Sequence, residues 1–255
     1  MKGRALLFGL NYEGTASELH GCVQDVIDIG GYIERTLRLP TKVCTDAAST
    51  TAVAIVQGMY ELALQSHSES LDFVWIHYSG HGAGVVDRSG DERDGRDECL
   101  VPSDYATAGL IPDDFLERLF RHFNRNTRVV FVCDACHSGT MCDVKYSWES
   151  ATKCTVENVL CAVPARVLTL SGCMDDQTSA DAFNLKGDGK SSGALTSCLI
   201  RVLTAADGPA ACADVFVLLT RLTAELARAG FPQRPKLCST YNLAREKLFV
   251  QSSPS

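Results

Sequence analysis

The chain has 255 residues, 45% of them hydrophobic and 22% charged, with a formal net charge of −7. That length suits one α/β domain with a substantial core, and the acidic balance argues against a nucleic-acid role, which needs clustered Lys and Arg. No apolar run approaches the ~20 residues of a membrane helix. The twelve cysteines are scattered through apolar patterns, unlike the disulfide frameworks of short secreted chains, so reduced thiols and a cytoplasmic location are expected. Cys133, Cys136 and Cys142 have no second matching pair, and zinc is not expected.

The start is charged but too short in apolar length for a secretory signal, and residues 5–10 read as a first strand that Asn11 ends. The run 19–25 then leads into an amphipathic helix that continues to about residue 37 and is closed by Pro40. Cys22 and Asp25 lie near its beginning, where an acidic group ordinarily stabilises the helix terminus. A short strand over 42–45 leads to a helix opened by residues 46–51 and ending near Ser66, and residues 73–78 form a buried strand. Strand, helix, strand, helix, strand is the order of a mainly parallel sheet. The most polar stretch, 87–98, reads as a solvated acidic loop; order returns at 100–105, and a helix runs from 111–114 to about Phe123. Residues 129–133 are five apolar residues in a row, then the chain turns abruptly small and polar, as a buried parallel strand does on leaving its sheet. Residues 141–164 lack periodicity. Beyond them 166–171 reads as a strand, 192–203 and 213–229 as helices, and 235–240 as a last strand.

Two strand exits carry chemistry, because ligands in open α/β sheets sit beyond the carboxyl ends of the strands. One delivers His77-Tyr78-Ser79-Gly80-His81-Gly82, the other Asp134-Ala135-Cys136-His137-Ser138-Gly139. A lone thiol or loop histidine is most often structural; a thiol and an imidazole each placed just after a buried strand form a specific pair. A thiolate is the strongest common side-chain nucleophile but needs a base. His81 can take the Cys136 proton and later protonate a leaving amine. The backbone amides of Gly82 and Cys136 are natural donors to an oxyanion. No third residue of the Asp or Asn kind stands out, and His137 is read as structural.

These two stretches resemble the active-site motifs of the metacaspases, cysteine peptidases with a caspase-like fold. The match continues from the first strand to Gln233-Arg234-Pro235-Lys236-Leu237. The resemblance implies an α/β caspase-like fold with a mainly parallel central β-sheet flanked by helices on both faces. It also implies a single peptidase domain over 1–255, made of a large-subunit-like portion (1–145), a short linker (146–165) and a small-subunit-like portion (166–255). The short connection is similar to that of type I forms, whose usual amino-terminal extension the sequence lacks. By the same resemblance Cys22, Asp25, Ser79 and Asp134 line the substrate pocket, and the two carboxylates suit Arg or Lys before the scissile bond. Asp97, Asp113, Asp114 and Asp143 match the acidic residues of a calcium site, the ion being an activator and not a catalyst. Carboxylates on loops suit calcium, although Asp113 and Asp114 equally suit the start of a helix.

The reading is a calcium-activated cysteine endopeptidase, a monomer acting on peptides or proteins cut after Arg or Lys, with no nucleic acid or membrane as partner. Self-cleavage is expected at Lys145 or Lys153 rather than at Arg166, which enters a strand. The alternative is a catalytically silent caspase-like binding module. Such modules arise by loss of a dyad member, and both members are present here.

Overall fold

The structure, a computed structural model, describes residues 1–86, 96–135, 142, 144–173, 194–207, 212–231 and 233–244. Long β-branched and aromatic runs make its central strands. β1 (Gly3–Gly9), β3 (Phe73–Ser79) and β7 (Arg128–Asp134) are almost wholly buried along their length, as strands covered by helices on both faces must be. With β2 (Thr41–Cys44), β10 (Arg166–Cys173), β11 (Arg234–Ser239), β8 (Tyr146–Ser150) and β9 (Lys153–Val156) they form an eight-stranded sheet in the order β2-β1-β3-β7-β10-β11-β8-β9. The first five are parallel and the last three join antiparallel. The chain runs outward from β1 to β2, then returns to place β3 on the other side of β1, which creates a topological switch point.

Side-chain alternation sends residues to two cores. On one face Phe8, Ile76, Phe131 and their neighbours pack against α2 (Ala52–Ser68) and α4 (Asp113–Phe120). On the other, Leu7, Trp75, Val130, Val132 and Leu170 pack against α1 (Cys22–Tyr32), α5 (Ala194–Thr204) and α6 (Val215–Arg228). A short α3 (Tyr105–Ala108) lies between. The expected α/β architecture, with a mainly parallel sheet and helices on both faces, is what the chain adopts.

Four local readings need correction. The first helix begins at Cys22, and its last part, Ile33–Leu37, is a π-helical turn ended by Arg38 in the left-handed region at φ 55°. The second is the acidic stretch, which is not loop throughout. Arg96–Leu100 is strand β5, paired antiparallel with β4 (Gly82–Val86) and β6 (Ile111–Pro112) in a small second sheet. Its charge hides an alternation in which Asp97, Cys99 and Val101 all turn inward. Third, α4 stops at Phe120, and residues 121–123 form a turn. Finally, the residues assigned to a linker, 146–165, contain the β8–β9 hairpin. Its polar residues show little apolar alternation, and pairing with β11 together with the buried Trp148, whose Nε1–H donates to Ser239 Oγ at 2.8 Å, makes it part of the sheet.

Candidate active site

Register brings the site together. Gly9 lies beside Ser79, and Ser79 beside Asp134, so the carboxyl ends of β1, β3 and β7 finish level. Neighbours in parallel register share a face, and Ser79 and Asp134 therefore both point to the α1/α5 side. Gly9 lets α1 approach: a Cβ there would lie 2.4 Å from Val26 Cγ2 and 2.7 Å from the Cys22 carbonyl. Asn11, just past β1, accepts the Val23 N–H through Oδ1 at 3.2 Å and so caps α1 from outside the helix. Asp25, one turn into α1, thereby comes to rest over Ser79.

Of the four pocket residues expected from the sequence, Asp25, Ser79 and Asp134 lie together, and Cys22 does not join them. Ser79 Oγ donates to Asp25 Oδ2 at 3.4 Å. Asp134 is 1% exposed and its Oδ2 accepts the Thr196 N–H, at the start of α5, at 2.7 Å. That amide and the positive end of the helix favour the anionic form of Asp134. Asp25 is the opposite case. Burial first, then the charge of Asp134, pushes its carboxyl up to about 8, against a smaller pull from Ser79. Two close carboxylates oppose each other's ionisation, which is the direction of the Asp25 shift. Cys22 is fully buried with Leu10, Tyr12 and Tyr78 in the core cluster of the α2/α4 face.

His81 is 6% exposed. Its Nε2 lies 2.8 Å from the Ser17 carbonyl, which can only accept, so Nε2 carries the proton and Nδ1 holds the lone pair. Burial lowers the imidazole's affinity for a second proton, partly offset by the Ser17 bond. A neutral imidazole oriented by one nitrogen is a base at the other. The orienting group is a backbone carbonyl, which a search for Asp or Asn cannot find. Val101 N–H donates to the His81 carbonyl at 3.2 Å, which makes Gly82 and Leu100 a non-hydrogen-bonded pair of the ladder and turns the Gly82 N–H away from β5.

Cys136, His137 and Asp143 lie outside the described residues. Their neighbours are informative: β3 and β7 are adjacent, Gly80 N–H donates to the Asp134 carbonyl at 3.2 Å, and Ala135 is buried. The described chain therefore carries β7 and Ala135 up to the side of the His81 exit.

For the acidic cluster, Asp97 is 9% and Asp113 1% exposed, and the charges of Asp113, Asp97 and Glu98, after burial, push the Cys99 thiol between them up to about 12. Asp113 accepts Glu98 N–H at 3.2 Å and Asp114 N–H at 3.0 Å, so it also serves the start of α4, as its position suggested. The carboxylate donors are all oxygen, which suits a hard cation. Among the described residues no group of three or more His, Cys, Asp or Glu is assembled for a metal; the fourth matched acid, Asp143, is outside them.

The caspase domain family matches residues 2–245, and the chain belongs to that family. It is a cysteine-type peptidase. More narrowly, its curated relatives are metacaspases. It is 29% identical to Metacaspase-1B of Aspergillus oryzae over 97% of this chain and 70% of the relative, and 28% identical to Metacaspase-1 of Mycosarcoma maydis over 98% and 73%. Among solved structures, a Geobacter sulfurreducens protein superposes with a TM-score of 0.63 at 26% identity, covering 94% of this chain and 93% of that one. Caspase-1 of Spodoptera frugiperda gives 0.57 at 15% identity, covering 94% and 86%, a likeness of fold. Among the described residues no helix is long and apolar enough to cross a membrane.

Proposed function

We propose that the chain is an endopeptidase that cuts after Arg or Lys through a Cys136–His81 dyad and is activated by calcium. The observation that carries this reading is the pairing of a neutral, oriented imidazole at one strand exit with a carboxylate pair at the next. The Cys136 thiol gives its proton to His81 Nδ1, and the thiolate attacks the scissile carbonyl carbon. The oxyanion is held by the N–H groups of Gly82 and Cys136. The imidazolium then protonates the leaving amine, and the C–N bond breaks to leave a thioester. His81 next takes a proton from water, which attacks the thioester and restores the thiol.

Asp25 and Asp134, with Ser79 between them, receive the cationic side chain before the cut. An Asp side chain in the same place meets two acids, which opposes cleavage after Asp. Asp97, Asp113, Asp114 and Asp143 would hold calcium, which would supply positive charge to the acidic cluster. The Val101–His81 bond connects that cluster's sheet to the base. The chain acts as a monomer on peptides or proteins, a reading supported by β8 covering the edge of β11. The ten free thiols among the described residues suit a reducing cytoplasm.

The test is digestion of a mixed peptide library, with and without calcium, by wild type and by Cys136→Ala and His81→Ala variants. Cleavage after Arg and Lys should fall by several orders of magnitude in either variant while folding is kept. Cutting after Asp, or full turnover by Cys136→Ala, refutes the reading; binding without cutting by the wild type favours the silent module.

A further inference from the structure

We propose that Tyr12 is a positioning residue for the general base, its hydroxyl, ring and backbone together fixing how His81 presents Nδ1. The inference rests on the reading of His81 as that base. Tyr12 sits in the left-handed region at φ 52°, a conformation unfavourable for a non-glycine residue, so its surroundings must hold it there. They are the surroundings of His81. The Tyr12 hydroxyl has one proton, and the Val101 carbonyl at 2.6 Å takes it. Its lone pairs are then left for the His81 backbone N–H, which donates at 3.0 Å. Tyr78 completes the cluster, with its hydroxyl 3.1 Å from that of Tyr12 and 2.9 Å from the His81 carbonyl.

The ring contributes separately. It packs on the imidazole with centroids 4.8 Å apart and a 38° tilt, which excludes water from that face. The backbone of Tyr12 acts on the far side of His81. Its carbonyl accepts Thr15 N–H at 3.2 Å and Thr15 Oγ1–H at 2.7 Å, and Thr15 Oγ1 accepts Ser17 N–H at 3.1 Å. This turn presents the Ser17 carbonyl to His81 Nε2–H. One residue therefore governs both the backbone and the ring tip of the base. Gly80 is the counterpart on β3: a Cβ there would lie 2.9 Å from both the Tyr12 and the Tyr78 hydroxyl oxygens, closing the gap through which they reach the strand exit. A buried tyrosine is ordinarily a packing residue whose hydroxyl bonds wherever a partner is near. Here the hydroxyl bonds to residues 78, 81 and 101, all of them at His81 or touching it.

The experiment compares wild type with Tyr12→Phe, which keeps the ring, and Thr15→Val, which cuts the turn's hydroxyl link and leaves Tyr12 intact. An Arg peptide is the substrate, with His81→Ala as control. Tyr12→Phe should lower kcat by about tenfold or more, with KM within about twofold, because misorientation of the base affects the transition state and not the pocket. Thr15→Val should do the same more weakly, and it decides the matter if Tyr12→Phe fails to fold. Wild-type kcat in a folded Tyr12→Phe, or a change in KM alone, overturns the proposal while an inactive His81→Ala leaves the dyad standing. Activity retained by His81→Ala overturns the dyad itself.

Discussion

The carboxyl of Asp25 is the residue whose chemistry depends most on its setting. Alone on an exposed helix it would be ionised; on the buried face of α1, desolvated and beside Asp134, it is pushed up to about 8. A guanidinium entering the pocket reverses that cost and expels the proton, so binding of an Arg peptide should release a proton below this value. KM for an Arg peptide should accordingly fall as pH rises from 6 to 8 and level off above, and Asp25→Asn should flatten the dependence with a higher KM throughout. Stability runs the other way. The folded state keeps a proton that the unfolded chain has lost, so the Asp25 contribution weakens as pH rises from about 4 toward 8. Steady-state kinetics and thermal melts across that range check the two signs; a KM independent of pH in wild type would remove Asp25 from the pocket.

Among the elements, the β8–β9 hairpin bears most on processing. Lys153 lies in β9 opposite Ser150 and is paired with Glu149 at 2.6 Å, and the Lys145 carbonyl accepts Glu157 N–H at 3.0 Å. A peptidase binds its substrate as an unpaired extended chain, so both lysines must first leave a ladder. The exposed run just after the hairpin, residues 157–164, carries no Arg or Lys. Leu160, 83% exposed there, marks where a basic residue would be accessible. Leu160→Arg should create a self-cleavage site, read by mass spectrometry as two fragments meeting after residue 160, absent when combined with Cys136→Ala. An intact Leu160→Arg chain under conditions that cleave peptides would show that this segment cannot reach an active site.

At the scale of the molecule, two sheets meet at the active site. The small sheet holds Asp97 and Asp113 buried at one end, and at the other Val101 bonds to His81. Calcium on the acidic cluster should therefore stabilise the folded chain as any ligand of the native state does. A Cys136→Ala protein should melt several degrees higher in excess calcium than in chelator, and Asp97→Asn should lose most of that shift. An identical melting curve in both conditions would count against a calcium site independently of any activity assay.

The sequence alone determined the buried strands and what their exits carry. Continuous β-branched runs such as 129–133 have few alternatives to a covered parallel strand, and abrupt polarity after them locates Ser79, His81 and Asp134 at one edge of the sheet. Motif order added the family. What tertiary structure decided was of two kinds. Strands β5, β8 and β9 are polar and short, and only partners supplied by β4, β6 and β11 make them strands; local pattern carries no trace of those partners. The support of His81 was equally hidden, because it is a carbonyl at Ser17, a left-handed Tyr12 and a gap at Gly80. Backbone groups are the same in every residue, and only the folding of the turn around Tyr12 against the β3 exit gives the Ser17 carbonyl a partner.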